Sequence, residues 1–256
     1  MIDLHCHILD GTNCGPESFD ESLEMCHLAL KSGVRTIVAT PRWEAESKEP
    51  PLLFAECRRK LDLLQHTMRG ALSLKLGFML RFSPYLPGLV EQYGSRLTLG
   101  GGHYVLVCLP ALSTPTETEE VWDALARRGY SVVVARPECS HAIRRDPARL
   151  ERWVIAHGTM LQIDAASIIG AYGRDVQRFA VLCVRKYKGH VVVASNARNA
   201  SSYCKFFGGA REELVKTFGH SYAQALTSET PARIVGDMEP RLNEKVWSLN
   251  AGSRAE

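Results

Sequence analysis

Two histidines stand two residues apart at the start of the chain, in Met1-Ile2-Asp3-Leu4-His5-Cys6-His7. On an extended segment, residues i and i+2 face the same side, so His5 and His7 can converge on one point. At the C-terminal end of a barrel strand that point is the mouth, where such folds do chemistry and where a divalent metal could sit. Asp164 ends another apolar run and could join them, because zinc accepts two histidines, a carboxylate and a water. Arg42, Arg136 and Arg198 also follow apolar runs, with Asn196 beside the last. Guanidinium groups stay charged and hold phosphate in a two-pronged fork, so these positions suit an anion and repel a metal. Each set has a plainer reading. The histidines can be structural side chains with satisfied hydrogen bonds, and the arginines can point to solvent.

The elements that must position these residues alternate. Apolar strands are expected at Ile2–His5, Val34–Ala39, Leu72–Leu76, Tyr104–Leu109, Ser131–Ala135, Thr159–Asp164 and His190–Ser195. Between them lie helical segments: Phe19 to Ser32, capped by Ser18 and Glu21 and stopped by Gly33; Pro51 to Arg69; one from Pro87; one capped by Thr116 and Glu119; one opened by Asp146-Pro147; and Gly173 to Lys188. Helices fill the chain to about Ser228. Several strands are continuous apolar runs, as in a parallel sheet covered on both faces. The expected fold is α/β, a distorted seven-unit β/α barrel in one domain over residues 1–236, with a doubly wound open sheet as the alternative. A polar tail, 237–256, is expected to be poorly ordered.

The 256 residues are 45% hydrophobic and 23% charged, enough for a well-buried core. A net charge of +3 without a dense Lys/Arg run gives no reason to expect a nucleic-acid partner. No stretch is long and apolar enough for a membrane span, and the N-terminus lacks the pattern of a signal peptide. Cys6, Cys14, Cys26, Cys57, Cys108, Cys139, Cys183 and Cys204 show no metal or redox spacing, so they read as thiols of a cytoplasmic protein.

The segments His5-Cys6-His7-Ile8-Leu9, Gly15-Pro16-Glu17-Ser18 and Gly33-Val34-Arg35-Thr36-Ile37-Val38-Ala39-Thr40 resemble the polymerase-and-histidinol-phosphatase (PHP) superfamily. More narrowly, the chain resembles the bacterial tyrosine-protein phosphatases encoded with capsule and exopolysaccharide genes. Val133-Val134-Ala135 and Val193-Ala194-Ser195 extend the likeness. The resemblance implies a distorted barrel in which several divalent metals, commonly manganese, activate a water that attacks phosphotyrosine. It also marks departures. The family's Asp-Asp-Gly is Asn13-Cys14-Gly15; its histidine after the second strand is Arg42; its later glutamates are Met79 and Cys108. Its histidine after the fifth strand is Arg136, the following Glu-Arg is Glu138-Cys139, and its closing Asp-x-His is Asn196-Ala197-Arg198. Of the metal ligands, only His5 and His7 stand.

Bridging carboxylates hold like-charged metals together, and neither methionine nor arginine can replace them. The changes run one way, from carboxylates and neutral imidazoles to neutral groups and cations. The leading expectation is therefore a degenerate member, a pseudophosphatase. It would bind phosphotyrosine or another anion through Arg42, Arg136, Arg198 and Asn196 without a cofactor. Its partner would be a phosphotyrosine protein such as a bacterial tyrosine kinase of polysaccharide export. One alternative is a working phosphatase with a single manganese or zinc on His5, His7 and Asp164. Another is a non-catalytic interaction scaffold.

Three further patterns carry less. Cys139 to Arg145 has the Cys-x5-Arg spacing of cysteine phosphatases but lacks that loop's glycines. Gly100-Gly101-Gly102 precedes a strand and reads as a turn. Arg185-Lys186-Tyr187-Lys188 reads as a solvated helix end whose cations suit the helix dipole.

Overall fold

The structure is a computed structural model that describes residues 1–43 and 49–236. The expected tail, 237–256, lies outside the described residues. Among these, the strands are β1 (Ile2–Cys6), β2 (Thr36–Ala39), β3 (Ser73–Leu76), β4 (Met79–Arg81), β5 (Tyr104–Cys108), β6 (Ser131–Ala135), β7 (Met160–Asp164) and β8 (Val191–Ala194). The first helices are α1 (Phe19–Lys31), α2 (Pro50–Thr67), α3 (Leu86–Tyr93) and α4 (Thr118–Ala126). They are followed by α5 (His141–Arg145), α6 (Pro147–His157), α7 (Ala165–Ile168) and α8 (Arg174–Lys186). The chain closes with α9 (Ala200–Phe218), α10 (His220–Gln224) and α11 (Thr230–Ile234).

All strand pairs are parallel, in two sheets ordered β1-β2-β3 and β4-β5-β6-β7-β8. This differs from the single run of seven strands expected. The third strand is broken at Gly77. A Cβ there would meet Leu99 Cα and Thr98 O at 3.1 Å, because a short helical turn at Leu99–Gly101 packs against β3. The chain resumes as β4, which pairs with β5. The sheet edges meet at both sides. Asn196 N–H donates to His5 O at 2.7 Å and His7 N–H to Ala197 O at 2.8 Å; on the other side Trp43 N–H donates to Met79 O at 3.0 Å.

Alternation along the strands makes two cores. Leu4, Val38, Leu106, Val133 and Val192 form a cluster closed by Ile234 and Val235. Val105, Val107, Val132, Val134 and Val193 face the other way and join the larger cluster under the helices, which includes Trp122 and Trp153.

Local signals explain most ends. Ser18 Oγ accepts from Glu21 N–H at 3.2 Å and opens α1. Gly158, left-handed at φ 61°, ends α6. The expected cap at Thr116 and Glu119 does not form. The helix starts at Thr118, whose hydroxyl donates to Pro115 O at 2.7 Å, and Glu117 before it makes no side-chain cap. Asp146 precedes α6 as expected, but its side chain does not cap it. The final helices run on past Ser228 to Ile234.

Candidate functional site

The C-terminal strand ends bring the sequence-predicted residues to one end of the molecule. His5 and His7 are fully buried. Their Nε2 atoms lie 3.3 Å apart, and His5 Nδ1 is 2.8 Å from Gln162 Oε1 on β7. If that oxygen accepts, Nδ1 carries the His5 proton, Nε2 is an acceptor, and His7 Nε2–H donates to it. His7 Nδ1 is then a buried acceptor, and it has no hydrogen-bond partner. Strict alternation would put Asp3 with the two histidines. The β1 register is irregular between Asp3 and Cys6. Asp3 instead accepts from Ser195 N–H at 2.9 Å and from Tyr203 O–H in α9 at 2.9 Å. The irregularity thus frees His5 to meet Gln162.

Across the mouth lies a cluster of charges. Arg136 follows β6 and Asn196 follows β8, and both are left-handed, at φ 54° and 47°. Asparagine tolerates that backbone; arginine adopts it at a cost of the order of 1 kcal/mol or more. Neighbouring strands fix both residues, through Arg136 N–H to Gln162 O at 2.8 Å and Asn196 N–H to His5 O at 2.7 Å. Arg136 Nε lies 2.8 Å from Asp164 Oδ2, a close ion pair without the alignment of a hydrogen bond. Asp164 also accepts from Ala166 N–H at 2.9 Å, Asn196 Nδ2 at 3.0 Å and Tyr172 O–H at 3.3 Å. The Arg136 guanidinium stacks 5.3 Å from the centre of the Tyr172 ring. Glu138, fully buried, accepts through Oε1 from Asp164 N–H at 2.8 Å and Ser167 O–H at 2.7 Å, while Oε2 has no partner. Arg42 is half-buried beside Met79, and Arg198 is exposed.

Burial is the main force on the titrating groups. It pushes His5 down to about 3, aided by the nearby charges of Arg136 and Arg198. His7 is likewise depressed, by burial and then by His5 and Arg198, with Arg42 adding to it. Both histidines are therefore neutral at physiological pH. Burial raises Glu138 to about 7, and the adjacent Asp164 charge adds to it. Burial also lifts the Asp164 carboxyl, opposed by Arg136 and the hydrogen bonds.

Residues 1–236 match the family model described as "Capsular polysaccharide synthesis, CpsB/CapC". The chain belongs to the CpsB/CapC family. The tyrosine-protein phosphatase YwqE of Bacillus subtilis (strain 168) is 30% identical over 231 residues, 89% of each chain. The tyrosine-protein phosphatase CpsB of Streptococcus pneumoniae is 25% identical over 247 residues, 93% of this chain and 99% of that one. A solved structure from a study of those two, described as unique metal-dependent tyrosine phosphatases, superposes with a TM-score of 0.83 at 28% identity, over 93% of this chain and 96% of that one.

A metal centre of the kind implied for CpsB/CapC relatives needs several anionic oxygen ligands. The donor set here does not fit one. Among the described residues no three His, Cys, Asp or Glu side chains converge as a metal-binding group. The carboxylate of Asp164, the third residue of the expected trio with His5 and His7, contacts Arg136, Ala166, Asn196 and Tyr172. Arg136 Nε faces Asp164 and its Nη2 lies 3.4 Å from Cys139 Sγ, so this guanidinium is engaged within the protein. Cys139 does not suit the nucleophile of a Cys-x5-Arg loop: burial pushes its thiol up to about 11. The described cysteine side chains are free thiols. No helix among the described residues is long and apolar enough to cross a membrane.

Sequence reasoning missed Gln162, Tyr172 and Ser167. Gln162 left a signal: it is the polar residue two before Asp164 in the wholly buried strand Met160-Leu161-Gln162-Ile163-Asp164, so alternation puts both on one face.

Proposed function

We propose that this CpsB/CapC-family chain is a pseudophosphatase that binds phosphotyrosine or a similar anion at the strand-end mouth and hydrolyses it little or not at all. The observation that supports this best is the Arg136–Asp164 contact of 2.8 Å. A fixed cation satisfies the carboxylate that a metal would need, in a mouth whose histidines are neutral. Arg42 and Arg198 would supply the forked contacts to phosphate, Asn196 a neutral amide, and Arg136 a background field already balanced by Asp164. On this reading the two sheets act as one barrel-like ring over residues 1–236, with 237–256 as an appended tail. The partner is a phosphotyrosine protein of capsule or exopolysaccharide regulation, such as a tyrosine kinase of polysaccharide export, met in the cytoplasm.

The test is metal content beside turnover. Purified protein should carry less than one equivalent of manganese or zinc and hydrolyse phosphotyrosine no faster than a His5→Ala variant. Metal-dependent turnover abolished by His5→Ala would establish the second reading, a reduced single-metal phosphatase. That reading draws support from the paired neutral imidazoles, 3.3 Å apart at Nε2, which are in the protonation state a metal accepts.

A further inference from the structure

A cavity of about 770 Å³ opens at the other end of the strands. Its lining includes Tyr104 at the start of β5, Met160 at the start of β7, His190 just before β8 and Ile234 in α11. Because the strands are parallel, these starts lie opposite the ends that carry His5, Arg136 and Arg198. Val154, Met160 and Ile234 are buried in the wall, while Ile155 at the lip is 75% exposed. His190 Nδ1 is buried there without a hydrogen bond, a state that buried polar atoms rarely keep.

The chain itself leaves the core beside this cavity. Ile234 and Val235 close the inner core, and Gly236 follows in a left-handed turn at φ 74°. Its N–H donates to Arg233 O at 3.3 Å as α11 ends. Residues 237–256 come next and lie outside the described residues. Their sequence sets Leu242, Val246, Trp247 and Leu249 among mostly polar neighbours. Leu242, Val246 and Leu249 have the i, i+4, i+7 spacing of one helix face. An extended chain covers at most about 3.5 Å per residue, so the stretch from Gly236 to Leu242 can reach about 20 Å. A cavity lined by Ile234 falls within that reach.

We propose that this cavity is the docking site of the chain's own segment 237–256, with Trp247 as the anchor. The apolar side chains of the segment cover Val154, Ile155, Met160 and Ile234. An indole N–H is a donor only, which suits a buried imidazole Nδ1 acting as an acceptor. Tryptophan joins a large apolar area to that one polar group, as interface anchors do. A short tether holds the segment at a millimolar effective concentration, so a modest intrinsic affinity fills the site. The docked segment covers the inner core at the end away from the mouth. The site is independent of the function proposed at the mouth.

Iodide quenching of fluorescence in the full-length protein tests this. The other tryptophans, Trp43, Trp122 and Trp153, are buried, so the quenchable signal reports on Trp247. Its share is the emission lost in Trp247→Phe, and a synthetic 237–256 peptide defines full access. At an effective concentration of about 1 mM, a docking constant of about 0.1 mM leaves about a tenth of the segment free. Iodide should therefore quench Trp247 about tenfold less in the protein than in the peptide. Ile155→Asp puts a charge in the apolar lip, so it should weaken docking about tenfold and raise the quenching about fivefold. Ile155 is exposed on the described fold, so circular dichroism of the variant should match the parent. Leu112→Asp, 86% exposed in the loop after β5 at the opposite end, should leave the quenching unchanged. Trp247 as accessible in the protein as in the peptide overturns the proposal, and so does protection that ignores Ile155→Asp. Protection that grows with protein concentration places the segment on a second copy and overturns docking within one chain.

Discussion

The two sides of the mouth handle burial differently. On the β1 side, His5 and His7 lie buried and uncharged, linked to each other and to Gln162. On the β6–β7 side, Arg136, Asp164 and Glu138 lie within bonding distance of one another or of a shared neighbour. Burying a neutral imidazole, even with His7 Nδ1 unpartnered, costs less than burying a charge, which must be paired. The first side can therefore lose a member at modest cost. On the second, removing Arg136 or Asp164 leaves the other's charge in low dielectric.

That contrast breaks most visibly at Asp164. Asp164→Ala strands the Arg136 cation and frees Asn196 and Tyr172, so urea denaturation should show a loss of about 3–5 kcal/mol. A loss below about 1 kcal/mol would mean that the pair is not held together in solution.

The next effect is Glu138, raised from 4.5 to about 7. Between these values the unfolded chain releases its proton and the folded one keeps it, so stability falls as pH rises through the window and levels off above it. Glu138→Gln removes that slope. Relative to the parent, the variant should gain about 2–3 kcal/mol on going from pH 4 to pH 8.

The histidine side has the opposite sign. His5 is depressed from 6.5 to about 3, so the unfolded state takes up a proton first and stability falls as pH drops below about 6.5. His5→Gln should flatten this acid limb by about 2 kcal/mol at pH 5. Matching pH slopes in the two variants would erase the distinction between the two sides.

Arg198 is the smallest change for stability. It is exposed, so Arg198→Ala should shift unfolding by less than about 0.5 kcal/mol. The same change should cut the phosphotyrosine-induced rise in melting temperature, because losing a charge-assisted bond weakens affinity about tenfold or more.

The fold was legible where burial is two-sided. Val132-Val133-Val134 and Val191-Val192-Val193 are apolar throughout because one face meets the inner core and the other the helices. The three residues Met79-Leu80-Arg81 were not legible as a strand, since nothing local shows the chain breaking at Gly77 against Leu99. His5 and His7 were legible as a same-side pair, but Asp3's turn toward Tyr203 depends on a register irregularity with no sequence mark. From sequence alone Asp164 reads as a spare ligand, because its partner Arg136 lies a strand and two helices away. The left-handed backbone at Arg136 and Asn196, which no composition or period reveals, helps set that pairing.

Titration calorimetry of a phosphotyrosine peptide into chelator-treated protein, with released phosphate assayed in the same cell, tests the central claim most directly. The account predicts saturable binding that survives the chelator, weakens about tenfold in Arg198→Ala, and releases no phosphate. Binding that vanishes with the chelator and returns with manganese alongside phosphate release would contradict it.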